Sequence, residues 1–343
     1  MVMVSTDEGV AGIGSVATND GLILSSLKLL EPLYVGEDAL EPERVTEKLR
    51  RQVFWYDRDG AITHTVSGID IALWDILGKA VGQPVGRLLG GRYRSRVRAY
   101  ASVLMQSPKE TGERLSALCE QGYTAFKIGW GPFGRRDNKT DERIVHAARE
   151  AIGEERLLMV DAGGSDALWS NDYKWAVTTA RMLADYGVHW FEEPLKPDDR
   201  QGYVLLRRHA PVRVAGGEVM SRRESFVEWI RAGAFDIVQP DVTKVGGMSQ
   251  ARRIAWTAED NGIRMIPHGW NTAVGLAADL HLASALPETD LVEYVVGSPY
   301  VDELATAKWC LDEEGMLAVP EGPGLGIELD REVVKRFTGA ELP

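Results

Sequence analysis

Three acidic residues each close a short apolar run: Leu157-Leu158-Met159-Val160-Asp161, Val188-His189-Trp190-Phe191-Glu192, and Val212-Arg213-Val214-Ala215-Gly216-Gly217-Glu218. The acids fall 31 and 26 residues apart, room for one strand-helix unit each time. If the runs are neighbouring parallel strands in a barrel, their C-terminal ends share one face and the carboxylates converge. Converging carboxylates repel one another unless a cation lies between them. A hard divalent ion with oxygen ligands, Mg2+ in particular, meets that need. One acid after a strand is ordinarily a helix cap or a solvated charge, whereas three at successive strand ends read as a metal site. Glu193 competes with Glu192, because strand alternation lets only one of the two point at the barrel axis.

The next two runs bring a base and its partner. They end Val238-Gln239-Pro240-Asp241 and Ile266-Pro267-His268-Gly269, so adjacent strand ends place Asp241 within reach of His268. A carboxylate fixes the imidazole tautomer and supports its charged form, which keeps a general base working near neutral pH. His64, His146, His189, His209 and His281 lack that setting and read as structural. Lys127 stands inside the apolar run Phe126-Lys127-Ile128-Gly129-Trp130, where an unpaired ammonium would be costly. At a strand end it meets a substrate carboxylate or the metal-binding acids, and Trp130 beside it is a candidate substrate contact. Leu291-Val292-Glu293-Tyr294 adds a fourth acid. Glu293 is either a partner for basic groups or a carboxyl with a raised pKa that donates to a substrate oxygen.

Other chemistries lack their residues. There is no G-x-S-x-G, and neither Cys119 nor Cys310 stands at a strand end. No G-K-[ST] follows the Gly-rich stretch 129–134, and no G-x-G-x-x-G occurs.

The elements that must position these groups follow a regular order. Strands are expected at 97–103, 125–130, 157–162, 188–193, 212–217, 235–240, 264–268 and 291–296, with helix-like sequence in each gap. Eight such units suit a closed parallel barrel better than an open doubly wound sheet. Ahead of them, residues 1–17 read as a hairpin. Residues 22–33, 42–54 and 65–82 read as helices, the last stopped at Gly82-Gln83-Pro84. The class is α/β: a modified (β/α)8 TIM barrel over 97–300, with a small α+β cap from 1–96 and a tail, 301–343, returning to the cap. A net charge of −12 argues against nucleic acid or an anionic membrane as partner, so an acidic substrate needs a metal or local lysines. Two cysteines make no disulfide framework, and no apolar run spans a bilayer or forms a signal region, so a cytoplasmic location is expected.

Asp161, Glu192-Glu193-Pro194 and Gly217-Glu218 together resemble the three-carboxylate Mg2+ site of the enolase superfamily, mandelate racemase subgroup. The resemblance implies that Glu192, the first Glu of E-E-P, is the ligand. Asp241 with Gly246-Gly247, and His268, are similar to that subgroup's His-Asp dyad, and Glu293 to its strand-eight Glu beside the substrate. Ser67-Gly68-Ile69-Asp70-Ile71-Ala72-Leu73-Trp74-Asp75 through Leu88-Leu89-Gly90-Gly91 resembles the segment leading into the barrel. The likeness spans nearly the whole chain. It implies a base working with Mg2+ on an enediolate, a small carboxylate substrate and a homo-oligomer.

Departures from the pattern narrow the reaction. Racemases of the subgroup carry K-x-K at the end of strand two; here only Lys127 remains, and Gly129 holds the second position. Racemisation needs acid/base groups on both faces of the carbon. Lactonising enzymes and dipeptide epimerases place Lys where Asp241 stands. What remains resembles the acid-sugar dehydratases, which eliminate water to give a 2-keto-3-deoxy acid. Two alternatives stay open: a racemase or epimerase using another base such as Asp137 from the loop after strand two, and an inactive metal-binding barrel. The family's cap ordinarily begins with one more strand and a mobile loop before the hairpin where this chain starts. A truncated or misplaced start is therefore an expectation, and it leaves substrate choice and activity open.

Overall fold

Strands covered on both faces must be apolar throughout, and helices that cover them need only one apolar stripe, which is the alternation seen here. The computed structural model describes residues 1–339; positions 340–343 of the expected tail lie outside them. The chain opens with the hairpin β1 (Val2–Ser5) and β2 (Ala11–Gly14), then α1 (Asp20–Tyr34), α2 (Pro42–Gln52), α3 (Ala61–Ala80) and a short α4 (Val85–Leu88). The strand-helix series follows as β3 (Arg96–Leu104), α5 (Pro108–Glu120), β4 (Ala125–Gly129), α6 (Asn138–Ile152), β5 (Leu157–Asp161) and α7 (Tyr173–Asp185). It continues as β6 (Trp190–Glu192), α8 (Arg200–His209), β7 (Arg213–Gly216), α9 (Arg223–Ala232), β8 (Ile237–Val238) and α10 (Gly247–Glu259). Then come β9 (Arg264–Met265), α11 (Ala273–Ser284) and β10 (Leu291–Val295), with α12 (Pro299–Asp302), β11 (Met316–Ala318) and α13 (Arg331–Thr338) in the tail.

Strands β3 to β9 pair in parallel in chain order, and β10 returns to pair with β3, so the sheet curls into a barrel. Closure is incomplete: no ladder joins β9 to β10 among the described residues. Side chains bridge that seam. Thr289 Oγ1 donates to the Met265 carbonyl at 2.8 Å, Gly269 N donates to Glu293 Oε2 at 2.8 Å, and Arg264 pairs with Asp290. The expected strands 235–240 and 264–268 shorten to two residues each, because Pro240 and Pro267 remove ladder donors. Beyond the prolines, Asp241 and His268 resume the parallel register as an isolated bridge. Inside the barrel, Tyr100, Ala125, Met159, Trp190, Ala215, Ile237, Ile266 and Leu291 form one layer, a residue from each strand or its continuation. That layer is the floor of the site.

Helix α3 is buried nearly all round and fastens the cap to the barrel. Gly14 of β2 lies so close to it that an added Cβ would meet the Gly68 carbonyl at 1.9 Å. Asp70 accepts from Thr46 Oγ1 at 3.1 Å and from Ser249 N at 3.0 Å, tying α2, α3 and α10 together. Gly246 N donates to Ser67 Oγ at 2.8 Å, and a Cβ on Gly247 would lie 2.2 Å from Asp70 Oδ2. Gly247 therefore admits α3, while a Cβ on Gly246 would meet Gln250 of α10 instead. The tail divides: β11 pairs with β3, Leu325 N donates to Asp75 of α3 at 2.8 Å, and Val334 of α13 packs with Ala273 of α11. Among the described residues no helix is long and apolar enough to cross a membrane.

Candidate active site

Asp161 and Glu192 end β5 and β6, and Glu218 follows β7 by two residues across Gly217, whose φ of +115° only glycine adopts freely. Each offers one oxygen, and the three oxygens lie within 4.8 Å of one another. Glu192 is held from three sides: Oε1 accepts from Lys127 Nζ at 2.6 Å, and Oε2 accepts from Trp190 Nε1 and Gln239 Nε2, both at 2.8 Å. Both lone pairs of Oε2 are thus used, and Oε1 keeps one for a further partner. Asp161 accepts from Gly163 N at 2.7 Å through Oδ1 and from Trp130 Nε1 at 3.1 Å through Oδ2. Burial, then the Glu192 charge, pushes the Asp161 carboxyl well above its ordinary range. A divalent cation relieves that strain, and three carboxylates are a donor set that fits Mg2+.

Glu193 is outside the trio. It adopts φ 42° and leaves Oε2 buried with no hydrogen-bond partner. Burial, then the neighbouring Glu218, lifts its pKa to about 8.

Lys127 Nζ also lies 2.9 Å from Glu293 Oε1. Burial pulls the ammonium's pKa down, but Glu192 and Glu293 outweigh it and hold Lys127 charged. Glu293 answers one of its two readings. Burial raises it, yet Lys127 and His268 outweigh burial and take it down to about 2, so it is an ionised partner rather than a proton donor.

His268 Nδ1 lies 2.8 Å from Asp241 Oδ2, while Asp241 Oδ1 accepts from Thr243 N at 2.8 Å. Burial disfavours the Asp241 charge, but Lys244 and His268 overcome it and keep the carboxyl below its ordinary range. An ionised Asp241 only accepts, so Nδ1 of His268 carries a hydrogen. Nε2 lies on the Glu218 side, 3.3 Å from Oε2. Burial lowers the His268 pKa, but the Glu218 charge and the Asp241 hydrogen bond raise it to about 9. A cation on Glu218 opposes that rise.

Lys127, Asp161, Glu218 and His268 line a cavity of about 360 Å³, within the range of small-molecule sites. Trp130 and Trp270 stand in its wall with Lys127, Glu218, Lys244 and His268. Around Gly129 the wall holds Ser102, Leu104 and Trp130, none of which exchanges a proton near neutral pH, together with Lys127, engaged by Glu192 and Glu293, and Asp161 of the carboxylate trio. Asp137 is no substitute base: it caps α6, accepting from Thr140 N and Thr140 Oγ1, both at 2.9 Å, and these bonds lower its pKa. The five other histidines are absent from the lining. Lys244, Gln239, Trp190 and Trp270 are the site residues that sequence reasoning missed. The available signals were a polar Gln239 inside an apolar strand and a lysine three residues after Asp241.

A barrel with carboxylates at three successive strand ends and a His-Asp pair on the next two defines the class as enolase-like. Residues 110–333 match the model for the enolase C-terminal domain-like family, and residues 1–90 match the mandelate racemase/muconate lactonizing enzyme N-terminal domain. The chain belongs to this mandelate racemase-like branch of the enolase superfamily. It is 33% identical to D-galactarolactone cycloisomerase of Agrobacterium fabrum, over 98% of this chain and 90% of that protein. Arabinonate dehydratase of Saccharolobus solfataricus is 30% identical, over 97% and 89% of the two chains. Among solved structures, the 3,6-anhydro-D-galactonate cycloisomerase of Zobellia galactanivorans superposes with a TM-score of 0.90 at 29% identity, covering 98% of this chain and 92% of that one.

Proposed function

We propose that this chain is an Mg2+-dependent lyase that removes water from a sugar acid by β-elimination, giving a 2-keto-3-deoxy acid. Asp161, Glu192 and Glu218 would hold the ion, which supplies positive charge beside the substrate carboxylate and so acidifies its α-proton. Lys127, kept charged by Glu192 and Glu293, donates to Glu192 and keeps N–H capacity for that carboxylate. His268 Nε2 takes the α-proton, with Asp241 stabilising the imidazolium. The C–H electrons pass into the carboxylate and then return to expel the 3-hydroxyl, which His268 protonates on the same face to release water. The enol left behind tautomerises to the ketone. One observation carries this reading: His268 with Asp241 forms the acid/base pair at the cavity, while beside Gly129 the titratable groups of the lining are Lys127, clamped between Glu192 and Glu293, and Asp161 of the carboxylate trio. The arabinonate dehydratase among the relatives supports it.

The same one-sidedness favours a second reading. A ring-opening β-elimination that expels a lactone carboxylate needs no proton donor for its leaving group, and D-galactarolactone cycloisomerase is a relative. Incubating the Mg2+-loaded protein with a library of sugar acids and their lactones tests both. A 2-keto acid lighter by one water marks the dehydratase, and one of unchanged mass marks ring opening. Deuterium uptake at the α-carbon with no ketone would overturn both in favour of an epimerase.

A further inference from the structure

Lys244 is a cation in the cavity wall that the reaction above does not use. It follows β8, the sixth strand of the barrel, whereas Lys127 stands on β4, the second. Second and sixth strands face each other across an eight-stranded barrel, so the two lysines rise from opposite sides of it, Lys127 toward Glu192 and Glu293 and Lys244 toward Glu218 and Asp241. Their surroundings differ. Lys127 sits 2.6 and 2.9 Å from two carboxylates. Lys244 has a long bond to the Glu218 carbonyl, 3.3 Å, and lies 3.5 Å from Asp241 Oδ2, an oxygen already bonded to His268 Nδ1. Its side chain is only 18% exposed, so water does little to make up the deficit. An ammonium has three donors, and a buried one left under-satisfied is costly. The donor that Glu218 and Asp241 leave over is free for a ligand in the cavity.

We propose that Lys244 is a substrate-binding residue that receives a second carboxylate or a lactone carbonyl, at the end of the substrate away from Lys127. The preferred class is then a dicarboxylic sugar acid or its monolactone, ahead of a monocarboxylic aldonate. The net charge of −12 sharpens this, because a dianion has no general attraction to the protein and requires a dedicated cation at each end. The choice of which carboxylate reacts rests on the function proposed above; the placement of Lys244 does not.

The test uses the full-length, Mg2+-loaded protein with Lys244→Gln and Lys244→Arg variants. Galactarate and galactonate differ only in the second carboxylate. The kcat/KM ratio in favour of galactarate should fall about tenfold or more in Lys244→Gln, chiefly through KM, and recover in Lys244→Arg. Equal losses on both substrates would overturn the proposal and make Lys244 a support for Asp241 alone. Calorimetric binding of adipate against hexanoate, neither of which can eliminate water, separates the two hypotheses. A preference for adipate that Lys244→Gln abolishes sustains the inference even if no sugar acid turns over. Turnover of sugar acids with no preference for the second carboxylate, in either assay, refutes it while leaving the reaction intact.

Discussion

Gly129 and Asp161 stand opposite each other on paired strands, and a β-carbon added to Gly129 would lie 2.9 Å from the β-carbon of Asp161. That is closer than the two atoms tolerate. The position that reads in sequence as a missing second lysine is therefore also the space in which one carboxylate of the candidate metal trio sits. Gly129→Ala should displace Asp161 and weaken Mg2+ binding about tenfold, as changes to the support of a metal ligand do. A Mg2+ titration followed by thermal unfolding measures it, and an unchanged midpoint would show that Asp161 has room to spare. By the same geometry, Gly129→Lys should damage the metal site rather than create a racemase.

Glu192 and Glu193 are adjacent in sequence and opposite in role. Only Glu192 joins Asp161 and Glu218, and only Glu192 is braced by Lys127, Trp190 and Gln239. A ligand that binds the folded state alone stabilises it by about 2.7 kcal/mol at a hundred times its dissociation constant. Wild-type protein should show a gain of this kind with Mg2+, Glu192→Gln should lose it, and Glu193→Gln should keep it. The reverse pattern in the two variants would exchange their assignments.

The dyad makes its own prediction. Asp241 fixes the hydrogen on His268 Nδ1, which leaves Nε2 as the nitrogen that would act as the proposed base. Asp241→Asn keeps the shape but lets the ring adopt the wrong tautomer, and general acid–base catalysis contributes roughly a hundredfold to ten-thousandfold. The loss should appear in kcat, with Mg2+ affinity retained because Asp241 touches none of the three carboxylate groups of the trio. A drop in Mg2+ affinity as large as the drop in kcat would mean that the variant had disturbed Glu218 instead.

Which parts of this site were legible in sequence follows from how local their causes are. Asp161, Glu192, Glu218, Asp241 and His268 each end an apolar run, and strand order alone then gathers them. Lys127 was legible as a buried cation in need of partners, but not as the clamp between Glu192 and Glu293, since those lie 65 and 166 residues away in the chain. That contact settles the charge of Glu293, which the residue's own run left open between two readings. Lys244 lies in a turn with no strand to announce it, and its place opposite Lys127 exists only once the barrel has curled. The open seam between β9 and β10 has a cause in plain view at Pro267, which has no N–H to offer β10, yet one proline says only that pairing weakens there. Gly246-Gly247 read as part of a resemblance; the physical reason for Gly247, the approach of Asp70, belongs to the packing of α3.

Asp70 supplies a test of that packing by pH. Burial raises its pKa to about 7 from an ordinary 3.8, against the opposing hydrogen bonds from Ser249 and Thr46. Between those two values the folded protein holds a proton that the unfolded chain has lost. Stability contributed by this group is therefore greatest at low pH, falls as pH rises from about 4, and is fully lost above about 7. Asparagine imitates the protonated acid: its carbonyl can accept from Ser249 N while its amide donates to the Ser249 or Thr46 hydroxyl. Urea midpoints of wild type and Asp70→Asn should be close at pH 5. The wild type should then fall behind the variant as pH is raised to 8, with groups common to both cancelling in the difference. If the difference instead moves the other way, with wild type gaining on the variant as pH rises, then Asp70 is an anion throughout. Its bonds to α2 and α10 would in that case be charge-assisted clamps rather than contacts of a neutral acid.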